Sequence, residues 1–310
     1  MSVCLVTGGA GFIGSHLVEA LLVRGDTVRV LDDLSSGHLE NLSHLIDRID
    51  FIEGNIRDGA TVQQATTGVD FIFHLAALVS VPKSMAEPTE AELINAVGTL
   101  NVLNAAKAAG VQRLVLSSTC AVYGDDPTLP KTETMCPQPK SPYAISKLAA
   151  EYYCQIFNES FGLETVSLRY FNIFGPRQDP SSAYSGVISI FVDKLSQGLA
   201  PTIFGNGQQT RDFVFVDDVV RANLLAAEAP KAAGEIFNIG TGRPISINQL
   251  FENLRHIFNR DLKPNYRPAR TGDILHSYAN PSRAKTILGW QAQVDFEKGL
   301  KRLVETQSQG

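Results

Sequence analysis

The chain has 310 residues and a formal net charge of −5, with 44% hydrophobic and 19% charged residues. This composition is typical of a globular protein with a substantial core, arranged as one large or two modest domains. No basic block accompanies the charge, and no apolar run approaches the roughly 20 residues of a membrane span, so we expect neither nucleic acid nor a membrane as partner.

The spacing of the cysteines and the N-terminal residues indicate the cellular compartment of the protein. Cys4, Cys120, Cys136 and Cys154 lack the CxxC spacing of a zinc or redox site. The first residues lead into a glycine loop without a basic segment or a cleavage site, which indicates a strand and not a signal peptide. We therefore expect a cytoplasmic protein without disulfides or a metal. We also expect Cys120 to face the core, since neighbouring strand residues point to opposite faces and Thr119 is a candidate site residue.

The first predicted elements indicate a nucleotide site. A strand over 2–6 precedes a glycine-rich stretch at 7–14, and a helix follows to residue 24. Glycines there let a pyrophosphate approach backbone N–H groups at the helix start. A second strand, 27–31, ends at Asp32, whose carboxylate would accept from adenosine ribose hydroxyls and repel a 2′-phosphate, favouring NAD; a turn-capping aspartate is the alternative. The predicted cofactor contacts in this region are Gly8, Gly11, Phe12, Ile13, Gly14 and Asp32.

Two further strands, predicted over 50–53 and 69–75, continue the pattern. Asn55 lies just beyond the first, in a position for an acceptor at the adenine edge. The second is followed by small residues that allow a flat ring or a phosphate to lie against backbone. His74 ends an apolar run and is interpreted as a core residue. The predicted cofactor contacts in this region are Asn55, Ile56, Leu75, Ala76 and Ala77.

The segment 119–147 contains residues whose types and spacing predict a catalytic site. Thr119 ends an apolar strand that begins at residue 113, and Ser141-Pro142 predicts a helix start with proline in its first turn. Tyr143 and Lys147 are four residues apart, so they lie on one face of that helix. A hydroxyl, a phenol and an ammonium at a strand end and a helix start favour proton and hydride chemistry. The alternative is a chance Tyr-x-x-x-Lys pattern.

Tyr143 also indicates a charged cofactor. A phenol that acts as a base near neutral pH needs a pKa about 3 below its free value of ~10, which takes roughly 4 kcal/mol. One ammonium ~5 Å away supplies about 3 kcal/mol at an effective dielectric constant of ~20, before any desolvation cost. Lys147 alone therefore falls short, and an oxidised nicotinamide ring would provide the second positive charge.

Later elements are less regular. A helix over 87–109 and a strand over 163–169 complete a strand–helix alternation that predicts an α/β fold with a doubly wound parallel sheet. Residues 170–185 are predicted as a loop. The remaining predicted elements are helices at 188–197, 217–229 and 246–258, a turn at 205–207 and a strand at 235–239.

Several motifs together resemble those of one enzyme family. The glycine stretch at 7–14, Asp32, the 119–124 segment, Tyr143-x-x-x-Lys147 and Arg169-Tyr170-Phe171-Asn172 are similar to those of extended short-chain dehydrogenases/reductases, and within them UDP-hexose 4-epimerases. The resemblance covers nearly the whole chain. It implies an NAD-binding Rossmann domain at 1–170, to which 215–240 returns, and a smaller C-terminal UDP-sugar-binding domain at 171–310.

The resemblance also implies roles for single residues. Tyr143 would take the proton of the sugar 4-hydroxyl, Thr119 would relay or orient it, and Lys147 would hold the cofactor ribose and lower the pKa of the phenol. Epimerisation would proceed through a 4-keto sugar. Asn55 replaces the aspartate common in the family, although an amide oxygen can still accept. The implied substrate contacts are Lys83, Ser84, Asn95, Thr119, Asn172, Arg211, Arg270, Asp273 and Ser277, and no metal is implied.

Two alternatives remain. Dehydratases of similar sequence carry Asp-Glu directly after the threonine, where this chain has Cys120 and Ala121, so a nucleotide-sugar 4,6-dehydratase is disfavoured. A non-catalytic NAD-binding regulator on the same fold would predict a broken catalytic set, whereas Thr119, Tyr143 and Lys147 are all present.

The resemblance has two finer implications. In similar epimerases the residue matching Ser277 borders the sugar 2-substituent, so a small side chain implies that N-acetylhexosamines are tolerated; the alternative is that Ser277 faces solvent and Tyr278 narrows the pocket. The helices predicted at 87–109 and 143–161 carry more apolar positions than one sheet face needs. In the family they form a four-helix dimer interface, so we expect a homodimer, with ordinary burial as the alternative.

Overall fold

A seven-stranded, all-parallel sheet organises the first part of the chain in this computed structural model, which describes residues 1–178, 186–269 and 274–307. The strand order reverses between β1 and β4, and in such sheets ligands bind at that reversal. The predicted doubly wound sheet is confirmed. Its strands, in spatial order, are β3 (Ile49–Glu53), β2 (Thr27–Asp32), β1 (Val3–Thr7), β4 (Phe71–His74), β5 (Arg113–Thr119), β6 (Glu164–Tyr170) and β10 (Ile236–Ile239).

Helices cover both faces of this sheet. Leu5 belongs to one buried cluster while its neighbours Cys4 and Val6 belong to another, so alternate residues of β1 enter two separate cores. The helices are α1 (Phe12–Arg24), α2 (Gly59–Thr66), α3 (Val81–Ala86), α4 (Pro88–Glu92), α5 (Gly98–Ala109), α6 (Pro142–Phe161), α7 (Val187–Ser196), α8 (Val216–Glu228), α9 (Ile247–Ile257) and α10 (Phe296–Gln307). Within the described residues, no helix is long and apolar enough to cross a membrane.

Helix α6 begins and ends where its sequence predicts. The Ser141 hydroxyl accepts from the backbone N–H of Ala144 at 3.2 Å, Pro142 occupies the first turn, and Gly162 closes the helix with a left-handed φ of 72°. Its inner face is buried against β5 and β6, including Lys147. The cap sets where α6 begins, and the buried face sets its rotation about the helix axis. Together they determine where each side chain of α6 lies relative to the ends of the strands.

The helix predicted over 87–109 contains an unpredicted irregularity. Between α4 and α5, residues Leu93–Val97 form a π-helical turn, a feature that often marks functional sites. Asn95 lies in this turn and bonds to the backbone of Leu78, 17 residues earlier. Since that partner lies outside the helix, no local pattern predicts the change.

Beyond β6, the residues that the structure describes form two small sheets. Their strands are β7 (Asn172–Phe174), β8 (Thr202–Phe204), β9 (Thr210–Phe215), β11 (Pro244–Ser246) and β12 (Asn265–Arg267), in the orders β11-β9-β7 and β12-β8. The prediction of a loop throughout 170–185 is wrong at 172–174, because β7 gains its hydrogen bonds from β9, far along the chain. The predicted turn at 205–207 is confirmed between β8 and β9, with left-handed φ values at Gly205 and Gly207.

The chain returns once to the first sheet. Strand β10 pairs in parallel with β6, with Ile236 opposite Ser167 and Ile239 opposite Tyr170. Helix α8, which precedes it, packs against α1. The division at residue 170 into cofactor and substrate domains stays a prediction.

Candidate active site

The glycine stretch after β1 forms a backbone cradle at the sheet reversal. Gly8 has a left-handed φ of 71°, and a Cβ atom there would lie 2.7 Å from the backbone nitrogen of Ala76 after β4. A Cβ at Gly14 would collide with the carbonyl oxygen of Gly8. Gly11 caps α1, so the helix N–H groups open onto the same space. This cradle fits a pyrophosphate that lies against backbone.

Asp32 is held at the end of β2 by two backbone donors. Its carboxylate accepts from the N–H of Ala10 and from the N–H of Leu34, each at 2.9 Å. Burial raises the pKa of Asp32, and these two hydrogen bonds counter it. Each oxygen keeps a second lone pair, so the carboxylate is oriented and can still accept from ribose hydroxyls.

Asn55 has partners that the sequence did not indicate. Its amide oxygen accepts from the backbone N–H of Arg57 at 2.9 Å and from the Arg57 guanidinium at 3.1 Å, and its nitrogen donates to Asp33 at 2.6 Å. An adenine amine would have to displace the Arg57 side chain from that oxygen. Ile56 is buried, and its side chain packs against Gly98. The predicted adenine contact therefore stays a prediction.

The end of β4 is fixed by a buried histidine. His74 Nδ1 lies 2.7 Å from the Thr7 hydroxyl, and Nε2 lies 3.0 Å from the Thr99 hydroxyl. Burial lowers the pKa of His74 to about 3, so the ring is neutral at physiological pH, and its interpretation as a core residue is confirmed. The half-buried residues that follow, Leu75, Ala76 and Ala77, face the glycine cradle through Ala76.

The three candidate catalytic side chains converge at the end of β5. The Thr119 side chain lies within hydrogen-bonding reach of the Tyr143 phenol and accepts from the N–H of Ala121 at 3.1 Å. The Lys147 ammonium, 4% exposed, donates to the carbonyl oxygen of Ser117 at 2.8 Å. Strand β5 and helix α6 thus bring a hydroxyl, a phenol and an ammonium together, as their spacing predicts.

The protein's own groups do not acidify the phenol. Burial raises the pKa of Tyr143 to about 12, although the hydrogen bond with Thr119 counters the rise. Burial also lowers the pKa of Lys147 to about 8. The phenol is therefore protonated at neutral pH in this arrangement, which agrees with the argument that its activation needs a second positive charge.

Cys120 packs against the core, as predicted, but it also borders the candidate site. Strand β5 ends at Thr119, and Cys120 begins a 3₁₀ helix over Cys120–Tyr123, so the alternation of a strand no longer applies. Its half-buried thiol interacts with the Ser277 side chain and lies near Tyr143. Burial raises the pKa of Cys120 to about 11, so it remains a thiol at neutral pH. The prediction that Cys120 faces the core is confirmed in part, because Cys120 packs against the core cluster but also borders the site.

Two of the predicted substrate contacts have their polar groups bonded within the protein. Ser84 is fully buried and donates to the carbonyl oxygen of Val81 at 2.7 Å. The Asn95 amide accepts from the N–H of Leu78 at 2.8 Å and donates to its carbonyl at 3.1 Å and to the Ser146 hydroxyl at 3.0 Å. Both side chains have protein partners in this arrangement, so their contact with the substrate stays a prediction.

The other predicted substrate residues fall into three places. Lys83 is exposed on α3. Asn172 begins β7 opposite Phe213 of β9, and Arg211 and Ser277 both bond to the Thr210 carbonyl, at 2.8 and 3.3 Å. Those three residues thus meet around one small sheet. Arg270 and Asp273 lie outside the described residues.

Asp212, next to Arg211, was not identified from the sequence. It is fully buried, and one carboxylate oxygen accepts from the N–H (2.8 Å) and hydroxyl (2.5 Å) of Thr241. The other accepts from the N–H of Gly242 at 2.9 Å and of Ala279 at 3.0 Å. This four-bond clasp joins β9 to the turn after β10 and to the segment that carries Ser277. Its donors come from distant segments, so no local spacing indicates it.

Comparison with known proteins agrees with this geometry. The sequence profile of the NAD-dependent epimerase/dehydratase family matches residues 4–240. A UDP-glucose 4-epimerase of Mycolicibacterium smegmatis is 41% identical over 305 residues, which span 97% of each chain.

Solved structures show the same similarity over the whole fold. A UDP-glucose 4-epimerase of Thermotoga maritima with UDP-glucose superposes with a TM-score of 0.94 at 43% identity, covering 99% of both chains. A UDP-N-acetylglucosamine 4-epimerase of Methanobrevibacter ruminantium, in complex with UDP-N-acetylmuramic acid, gives 0.95 at 39% identity, covering 100% of this chain and 99% of the other.

Proposed function

Because the chain belongs to the NAD-dependent epimerase/dehydratase family, we propose that it interconverts UDP-hexoses that differ in configuration at sugar carbon 4. NAD is the cofactor. The observation that carries the proposal is the convergence of Thr119, Tyr143 and Lys147 at the end of β5, on the same sheet edge as the glycine cradle. The named epimerases among its relatives support the choice of reaction.

The chain's residues would bind the cofactor and move one proton. The glycine cradle receives the pyrophosphate, and Asp32 accepts from the adenosine ribose. Tyr143 takes the proton of the sugar 4-hydroxyl and later returns it, while Thr119 orients that hydroxyl. Bound NAD supplies reversible hydride acceptance at carbon 4, so the sugar passes through a 4-keto form and turns over before reduction on its other face.

Lys147 has two tasks in this scheme. Its ammonium lies at the sheet edge where the nicotinamide ribose would be held, and its charge lowers the pKa of the phenol once both groups face the cofactor. The Tyr143 pKa of about 12 in the present arrangement supports a mechanism in which the phenol becomes a base only when the positive nicotinamide ring is bound.

The diphosphate would be held by the second part of the chain. Arg211 and Asn172 lie on neighbouring strands, and a guanidinium can bind phosphate through two parallel hydrogen bonds. Arg270 and Asp273 would complete this set. Lys83, exposed on α3, is the remaining cation proposed for the cleft.

The sugar pocket would accept N-acetylated hexoses as well as plain ones. Ser277 is small, and its side chain interacts with the Cys120 thiol, so two compact residues border the same space. The similarity to the UDP-N-acetylglucosamine 4-epimerase of Methanobrevibacter ruminantium supports a pocket wide enough for an N-acetyl group.

A dehydratase activity is disfavoured by the same segment. Elimination of water needs an additional acid/base pair beside the 4-keto sugar. Cys120 remains a thiol because burial raises its pKa to about 11, and Ala121 has no ionisable group. The positions that follow Thr119 therefore do not supply that pair.

A homodimer forms part of the proposal. Helix α6 exposes Ile145, Tyr152 and Ile156, which are 50, 52 and 48% exposed and follow one another at helical spacing. Leu93 and Val97 expose about as much on the neighbouring π-helical turn. Large apolar side chains that share one surface mark an association site, and a second copy would cover them isologously.

Product analysis tests the function directly. The purified protein is incubated separately with UDP-glucose, UDP-galactose, both UDP-N-acetylhexosamines and UDP-glucuronate, and the sugars are separated and identified. We expect glucose and galactose forms to interconvert, and the N-acetylated pair also. A 4-keto-6-deoxy product would instead establish a dehydratase, whereas no conversion and no NADH absorbance with any sugar would indicate a regulator.

A further inference from the structure

The carboxylate of Glu151 lies beneath the catalytic residues. It is 1% exposed on α6, one helical turn beyond Lys147 and two beyond Tyr143. One oxygen accepts from the Ser118 hydroxyl and from the Arg169 guanidinium at 2.9 Å, and the other accepts from Arg169 at 2.7 Å. Among the described residues, the donors to this carboxylate lie on β5 and β6, the two strands under the site.

These hydrogen bonds link the elements that carry the chemistry. Ser118 directly precedes Thr119, and Arg169 lies opposite Ser118 in the β5–β6 register. The Arg169 guanidinium also donates to the Tyr123 hydroxyl at 3.0 Å and stacks over that ring, 4.9 Å from its centre. Tyr123 ends the 3₁₀ helix after Thr119. Glu151 thus connects both sides of Thr119 to the helix that carries the phenol and the ammonium.

Glu151 is also the negative charge nearest in sequence to the buried ammonium. Within the described residues, the ionisable groups that interact with Lys147 include Cys154 and Glu151 from its own helix and His74 from β4, and Tyr143 lies one helical turn before it. His74 is neutral because burial lowers its pKa to about 3, and Cys154 and Tyr143 are protonated because burial raises their pKa values. Burial lowers the pKa of Lys147 to about 8, and Cys154 and then Glu151 oppose that change.

We propose that Glu151 is a positioning residue of the reaction, whose carboxylate sets the distance between Thr119 and the Tyr143–Lys147 face of α6 and places a negative charge one helical turn from Lys147. This inference rests on the proposed function of those three residues. Arg169 balances the carboxylate and fixes its orientation. A role confined to stability is the competing explanation, because removing one partner of a buried ion pair destabilises a fold wherever the pair lies.

Two substitutions at this position separate charge from fit. Glu151→Asp keeps the charge but shortens the side chain, while Glu151→Gln keeps the length and removes the charge. One charge about one helical turn away, at an effective dielectric constant of ~20, changes a pKa by about 1 to 2. The alkaline limb is the part of the pH profile in which kcat/KM declines at high pH. We expect this decline to occur about one pH unit lower in Glu151→Gln and at the parental pH in Glu151→Asp. We expect kcat to be lower than the parental value in both variants. A parental limb in Glu151→Gln would overturn the proposal.

A double variant controls for stability. Glu151→Gln with Arg169→Gln removes both charges, so no unpaired ion is left buried. If the role is positional, thermal stability recovers relative to Glu151→Gln while kcat stays low; recovery of both stability and kcat would assign Glu151 to stability alone. Should the double variant not fold, the Asp and Gln comparison decides.

A matched control lies at the other end of the same strands. Glu164 pairs with the buried Arg113, with a hydrogen bond of 2.8 Å, far from Thr119. Glu164→Gln also deprives an arginine of its carboxylate, so we expect lower stability with an unchanged limb. An equal shift of the limb in this variant would overturn the proposal.

A binding measurement keeps the inference separate from the proposed function. Calorimetric titration of each NAD-depleted variant with NAD over roughly pH 6–10 follows the Lys147 charge without sugar turnover. We expect NAD affinity to fall at a lower pH in Glu151→Gln than in the parent and in Glu164→Gln. If the parent turns over no UDP-sugar, the proposed function fails, whereas identical NAD profiles overturn the role of Glu151.

Discussion

Lys147 of helix α6 and Ser117 of strand β5 are joined by a 2.8 Å hydrogen bond from the ammonium to the backbone carbonyl, in a region where Lys147 is only 4% exposed. The charge is therefore buried near the carboxyl end of β5, beside the candidate site. Burying an ammonium lowers the free energy of unfolding unless an opposite charge compensates it. The buried position of Lys147 therefore destabilises the fold.

The first prediction measures this cost. Burial lowers the pKa of Lys147 from 10.5 to about 8, so between these values the unfolded chain binds a proton that the folded protein lacks. Parental stability therefore rises with pH through that window, and the whole cost, roughly 3 kcal/mol, is present below it. We expect Lys147→Met to be inactive but more stable by about 1–3 kcal/mol at pH 7 in urea unfolding, since Ser117 also loses its donor.

The gain should vanish above about pH 10.5, where the parental lysine is neutral in both states. Lys140→Met provides the control, because Lys140 is 61% exposed and pairs with Asp125 at the surface. A stability gain from Lys147→Met that persisted unchanged at high pH would show that the buried charge is not its source.

The second prediction concerns the base. Tyr143→Phe removes the phenol but leaves the ring, so we expect turnover of UDP-glucose to fall about 10²–10⁴-fold with little change in NAD binding. Tyr152→Phe, on the exposed side of the same helix, should keep parental turnover. Near-normal turnover in the Tyr143 variant would exclude the phenol as the base.

The third prediction tests the Asp212 clasp. In Asp212→Asn an amide NH₂ group replaces an oxygen that accepts two hydrogen bonds, so donors face donors in a buried place. We expect the free energy of unfolding to fall by about 2–4 kcal/mol. KM for the UDP-sugar should rise, because the clasp holds Arg211 and the Ser277 segment in place. Asp261→Asn, at an exposed position, is the control; equal stability of the two variants would contradict the clasp.

The fourth prediction concerns sugar width. Ser277→Tyr fills the space beside Cys120, so we expect activity on UDP-N-acetylglucosamine to be abolished while activity on UDP-glucose is largely kept. The ratio of the two rates is the measurement. Ser282→Tyr, at an exposed position nearby in the chain, should leave the ratio unchanged. An unaltered ratio in the Ser277 variant would show that another residue limits the pocket.

The fifth prediction concerns association. Ile156→Glu places a charge within the exposed apolar surface of α6, and desolvating it would oppose pairing of two copies. We expect sedimentation at micromolar concentration to change from a dimer to a monomer. Val23→Glu, at a position 81% exposed on α1, should leave the dimer intact. A monomeric parent would contradict the interface itself.

Local chemistry was readable from the sequence. Ser141 and Gly162 mark the ends of α6 through their own capping bonds, and the spacing of Tyr143 and Lys147 places them on one helix face. The parallel sheet follows from strand–helix alternation, and the strand ends bring Thr119 to the same edge as the glycine cradle. Each of these features is determined by residues close together in the chain.

Features that depend on distant partners were missed. Strand alternation predicts a core position for Cys120, but a 3₁₀ helix begins there, so Cys120 packs against the core and also borders the site. Strand β7 exists only because β9 pairs with it. Asp212 and Glu151 do not stand out as acidic residues in the sequence. In the fold, four donors from distant segments bind Asp212, and the buried Arg169 binds Glu151. Such roles belong to tertiary contacts, so one sequence does not indicate them.

The pairing of β10 with β6 has a consequence for how the protein is made. The ribosome synthesises β6 long before it reaches Ile236. Until β10 pairs with it, β6 is an edge strand, and its outer backbone groups near Val166 and Leu168 have no hydrogen-bond partners from that strand. Everything from β7 to α8 must be synthesised before that edge is closed. The nascent chain therefore passes through a stage in which most of the sheet exists and its border is open to other chains, a stage at which chaperones would act.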